Sequence, residues 1–114
     1  MSVETVKKEA AMDKSILATI KKLLGIEEEY THFDVDIIAH INSVFMILQQ
    51  LGVGPAEGFS IEDATSNWSD YIEDIHNFEA VKTYIHLKVK LIFDPPTSSA
   101  VIQAYKELIA ELEG

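Results

Sequence analysis

Two successive prolines, Pro95 and Pro96, lie between two apolar stripes of helical period and constrain this chain more than any other feature. Upstream, Phe78, Val81, Ile85, Val89 and Ile92 recur at intervals of three and four residues, so they share one face of an α-helix, with Tyr84 and Leu91 widening it. That helix must stop near Phe93. Proline fixes its own φ, lacks an N–H and forces the preceding residue out of the helical region, so Asp94-Pro95-Pro96 ends one helix and aims the next. Thr97, Ser98 and Ser99 offer hydroxyls to cap a new N-terminus, and Val101, Ile102, Tyr105, Leu108, Ile109 and Leu112 supply the second stripe.

The remaining sequence reads as further helices. Residues 1–12 form a flexible N-terminal extension in this reading, and residues 13–114 a single helical domain. Ile16, Leu17, Ile20, Leu23 and Leu24 make an apolar face that begins after Asp13 or Ser15, with Lys21 and Lys22 suited to the negative helix end and Gly25 as the residue beyond it. After the acidic run Glu27, Glu28 and Glu29, Thr31 and Asp34 have capping-box spacing ahead of Ile37, Ile41, Val44, Leu48 and Leu51. Ile38, Phe45 and Met46 broaden that seam, and Gly52 closes it. Residues 53–65 read as an ordered loop pinned by Phe59 and Ile61, long enough to invite a functional role. Thr65 or Ser66 would cap a short helix bearing Trp68, Tyr71, Ile72 and Ile75, and Asn77 would cap the helix that follows. Strand signals are nearly absent. The predicted fold is all-α, a small bundle of four main helices plus one short helix, packed around Ile20, Ile41, Phe45, Leu48, Val81, Ile85, Val89, Ile102 and Leu108.

Composition narrows the function classes. At 114 residues, the chain has room for one core and not for two. It has no cysteine, hence neither a disulfide framework nor a thiolate metal site. No apolar run has the length of a membrane span, and the N-terminal residues lack the apolar centre of a secretion signal, so an intracellular setting is expected. Nineteen acidic residues against nine cations leave a formal charge of −10, which opposes nonspecific attraction to phosphate or anionic lipid. Every one of those cations is lysine. Without the arginine fork that reads guanine edges or clamps phosphates, a sequence-specific DNA reader is not expected.

Few residue patterns point to chemistry. Glu73 and His76 have the E-x-x-H spacing of di-iron bundles, but those sites need the motif on two helices together with two further glutamates facing it, and a capped or solvated pair is the expected reading. Asp36 and His40 read as a surface ion pair. Neither His32 nor His86 has an evident partner. Glu27 to Glu29 lack the ligand alternation and turn glycine of a calcium loop and read as a solvated acidic run. No nucleophile elbow or phosphate-cradling glycine loop is present, so no catalytic residue, metal site or cofactor is assigned. Trp68 and Tyr71 lie one turn apart, where a pair of aromatic rings serves either a core or an interface.

Three segments together go beyond a generic bundle: LLGIEEEYTHFDVDIIAHINSVFMILQQLGVGP, the neighbourhood of Trp68-Ser69-Asp70, and AVKTYIHLKVKLIFDPPTSSAVIQAYKELIAELE. In identity and order they resemble the head-tail connector (adaptor, head-completion) family of tailed bacteriophages, of the kind encoded by phages and prophages of Gram-positive bacteria. The resemblance spans Asp13 to Glu113. It implies a structural virion protein at the head–tail junction, assembled in the host cytoplasm into a homo-oligomeric ring. Its partners would be the portal protein and tail-side neck proteins, and DNA would pass without specific binding. It further implies a portal contact through the C-terminal helical region, here Tyr105, Lys106, Leu108, Ile109 and Leu112, aimed by the corner at Asp94, Pro95 and Pro96. An acidic channel wall, with Glu27, Glu28 and Glu29 as candidates, would let DNA slide. The alternative is a small acidic protein-binding module without catalytic activity that uses Trp68, Tyr71 and the 53–65 loop to hold a partner helix or peptide.

Overall fold

The computed structural model describes residues 10–114; most of the expected N-terminal extension lies outside the described residues, and its described part, residues 10–12, is helical and buries Met12 in the core. Within that range the chain forms α1 (Ile16–Leu23), α2 (Asp34–Gln50), the single-turn α3 (Trp68–Tyr71), α4 (Ile75–Phe93) and α5 (Ser99–Glu113). Among the described residues there is no strand, only one isolated antiparallel bridge between Ser15 and Asn67. This is the expected all-α bundle of four main helices and one short one. α4 is its centre: α1, α2 and α5 all pack on it, and α1 also packs on α2.

The ends of α1 and α2 follow from local chemistry. Ser15 caps α1 by accepting from the Ala18 N–H. Gly25 and Gly52 both have positive φ, and the chain folds back over each. The Gly25 and Ile26 N–H groups donate to the Lys22 and Lys21 carbonyls, and those of Gly52 and Val53 to Gln49 and Leu48, so each helix ends in a full Schellman motif. Other caps are not where side-chain type suggested. Thr31 makes no capping box with Asp34, since Phe33 is the N-cap of α2 without a side-chain hydrogen bond. Asn67, not Thr65 or Ser66, is the N-cap of α3, its N–H donating to the Asp70 carboxylate. Asp74 caps α4 by accepting from the His76 N–H, which leaves Asn77 inside the first turn.

Most of the expected core is present. Ile20, Ile41, Phe45, Leu48, Val81, Ile85 and Val89 are buried, joined by Ile16, Leu17, Ile37, Val44 and Phe78. Ile102 and Leu108 are not part of it: Ile102 is half-buried and Leu108 keeps 39% of its surface exposed. The cause is that α5 has one main packing partner, α4, so only a narrow line of its stripe is covered. Ile92, Met46, Leu51 and Leu23 also lie exposed on the flanks of their stripes.

The 53–65 loop is tied down on α2. Asn42 clamps Ile61, donating from Nδ2 to its carbonyl at 2.9 Å and accepting its N–H at 2.8 Å. Gln49 donates to the Ala56 carbonyl, and Phe59 stacks with Phe45 and Tyr71. Beyond it, the backbone at 66–68 pairs with that at 14–16 and seats Trp68 over α1. There the indole N–H donates to Thr19 Oγ1, which donates to the Ser15 carbonyl.

A charged side chain joins α1 to α2. Lys21 is only 2% exposed. Its ammonium donates to the Glu28 carbonyl at 2.9 Å and lies 2.9 Å from Asp34 Oδ1. Lysine is almost never this buried without partners. Removing one side of such a pair strands the other. Lys21→Met is therefore expected to lower unfolding free energy by about 1–3 kcal/mol in denaturant titration, the partial exposure of Asp34 keeping the loss below that of a fully buried pair. Adding Asp34→Asn should recover part of it. Gly54→Ala is expected to cost about 2 kcal/mol or more, because φ is +82° there and a Cβ would sit 2.6 Å from the buried Tyr71 ring.

Candidate functional site

The corner and α5 form the most distinctive surface. α4 stops at Phe93, and Asp94 takes an extended φ of −149° ahead of the prolines. The Asp94 carboxylate faces the unfavourable end of the α4 dipole, and Lys90 offsets this with an ion pair at 2.8 Å. Ser98 then caps α5, which runs back along α4. At the far end the Tyr84 hydroxyl donates to Glu113 Oε2 at 2.6 Å, with Lys88 Nζ 3.7 Å from the same oxygen. Burial and this carboxylate together push the Tyr84 phenol well above its ordinary range. A proline corner at one end and a polar clasp at the other fix α5 on α4.

The residues expected to make contacts fall into two groups. Asp94, Pro95, Lys106 and Leu108 are exposed, while Pro96, Tyr105 and Leu112 are half-buried. Ile109 is buried against α4 and is a core residue, which removes it from any contact surface. The same correction applies to Trp68 and Tyr71. Trp68 is 0% exposed. Tyr71 packs on Phe45 and Phe59, and burial pushes its phenol up to about 12. Neither ring can reach a partner, and the loop that would have flanked them is engaged with α2. The two rings that the binding-module alternative would use are therefore out of a partner's reach.

The Glu27, Glu28 and Glu29 side chains are all exposed, beside a groove between α1 and α4 that Lys14, Lys22 and Lys82 also line. Glu73 precedes α4 whereas His76 lies in its first turn, so the pair does not share a helix face. Among the described residues no group of three His, Asp or Glu side chains could hold a metal ion. His40 forms no ion pair with Asp36 and lies edge-on to Phe93, centroids 6.4 Å apart. His86 is held below its ordinary pKa, first by burial and then by the Lys90 charge, partly offset by its bond to the Leu23 backbone.

Helical periodicity gives no sign of one further feature. Tyr30, His32 and Phe33, in the loop before α2, form a cluster in which Phe33 meets both other rings edge to face, and Phe33 also meets Phe93 edge to face with centroids 5.3 Å apart. This braces the last residue of α4 immediately before the proline corner. The signal lay in the density of aromatic rings within a segment that reads as a polar loop.

No helix among the described residues is long and apolar enough to cross a membrane. A protein-family model described as phage connector protein matches residues 16–114. No curated protein and no solved structure matches the chain.

Tyr84→Phe removes one hydroxyl from the clasp and leaves the ring. It is expected to cost about 0.5–1.5 kcal/mol and to speed amide hydrogen exchange in the last turn of α5 while leaving the first turn, beside the corner, unchanged.

Proposed function

Because the chain belongs to the phage connector protein family, we propose that it is a structural piece of the virion that forms a ring between portal and tail, completes the head and continues the DNA channel. The family match over residues 16–114 is the observation that carries this reading. In it the protein acts at the head–tail junction of a phage or prophage of a Gram-positive host, after assembly in the cytoplasm. It meets the portal protein on one side and tail-side neck proteins on the other, and it catalyses nothing.

Physical features agree with such a role. A formal charge of −10 with no arginine gives DNA little to grip, and duplex phosphates slide past an acidic wall where a basic one would hold them. Glu27, Glu28 and Glu29 present carboxylates to solvent and are the proposed channel-facing group. The portal contact is assigned to the exposed side of α5, through Lys106 and Leu108 with the accessible parts of Tyr105 and Leu112, oriented by Asp94, Pro95 and Pro96.

The purified protein is expected to co-sediment with portal particles, and protein that stays free of them would contradict the reading. The double substitution Pro95→Ala with Pro96→Ala tests the corner. It should reduce incorporation far more than it lowers the melting temperature, since these prolines are exposed or half-buried outside the core. Unchanged incorporation would leave the corner with no role beyond joining α4 to α5.

A further inference from the structure

α2 buries Ile37, Ile41, Val44, Phe45 and Leu48; the 53–65 loop is bonded to it through Asn42 and Gln49, and the side next to that loop faces solvent. On that side lie Val35, Ala39, Ser43, Met46 and Gln50, all exposed, Val35 to 80% and Met46 to 63%. At 3.6 residues per turn, the five fall within about 80° of one another and form a row about 22 Å long. None carries a charge. The ionisable side chains of α2 are Asp34, Asp36 and His40, of which Asp34 is held by Lys21 and His40 lies against Phe93. Asp36 sits roughly 100° around the helix from Val35. Even the Ser43 hydroxyl is engaged, donating to the Ala39 carbonyl. The solvated side of a helix ordinarily carries its charges, and this one has none along its middle in a chain of formal charge −10.

From this row we infer a docking surface for a second copy of the same chain; the inference rests on the ring-forming connector reading. Two copies of like charge repel wherever their acidic surfaces meet, so the contact between them costs least where neither surface is charged. A basic partner would be steered instead to the carboxylates at Glu27, Glu28 and Glu29. The residue types also fit, because interface centres are depleted in charge and enriched in methionine, whose unbranched side chain adapts to the surface it meets. A strip about 22 Å by about 10 Å covers roughly 220 Å², well short of the about 800 Å² per partner of a stable interface. The contact is therefore weak by itself and becomes effective when a template holds neighbours side by side.

A benzophenone amino acid in place of Val35 tests this. Irradiation of the concentrated protein, and of protein bound to portal particles, should give an adduct of twice the 12.8 kDa chain mass. Adding Met46→Lys should abolish that adduct while leaving the thermal melt unchanged, because Met46 lies outside the core. Incorporation into portal particles with an adduct to portal protein, or with none, would overturn the docking assignment and leave the connector reading standing. Failure to incorporate at all would count against the connector reading, and the concentrated protein would then decide the surface: no two-copy adduct overturns it.

Discussion

The position of α2 depends on one buried cation. Lys21 stands in the last turn of α1, where a positive charge is favoured by the dipole. Asp34 stands in the first turn of α2, where a negative charge is favoured for the same reason. Their ion pair, together with the Lys21 bond to the Glu28 carbonyl, spans the whole connection between the helices. The Gly25 turn directs the chain into that connection, and the connection delivers Phe33 to Phe93. The end of α4, and with it the proline corner, is thus braced by a segment whose path Lys21 sets.

Much of this architecture was legible in the sequence where the governing physics is local. Proline geometry identifies the corner at residues 94–96, positive-φ glycines identify the ends of α1 and α2, and apolar periodicity identifies each helix. What tertiary partners decide was less legible. Lys21 reads as a dipole-matched surface lysine, yet it lies four residues after Leu17 and next to Ile20, on the covered side of α1. Thr31 and Asn77 have the side chains of caps, but Asp34 is taken by Lys21 and Asp74 reaches the start of α4 first. Ile102 and Leu108 match the period of the core and stay outside it because α5 leans on a single helix.

The candidate site was legible in part. The order of segments pointed to the connector family, and the family match spans residues 16–114. Side-chain type misled where it took aromatics for contacts: Trp68 and Tyr71 fill the centre of a small domain, while the exposed rings, Tyr30 and Phe33, lie in a stretch with no helical period. Function in such a protein rests on how rigidly a few surfaces are presented. The clasp at Tyr84 and Glu113, the corner at Asp94-Pro95-Pro96 and the loop held by Asn42 all limit movement of helices around α4.

Cryo-electron microscopy of virions that encode this chain would show where the bundle sits. Copies of the α1–α5 bundle are expected in a closed ring between portal and tail, with α5 toward the portal and the lumen lined by acidic side chains. A neck in which this bundle is absent, or in which it lies outside the channel wall, would contradict that placement.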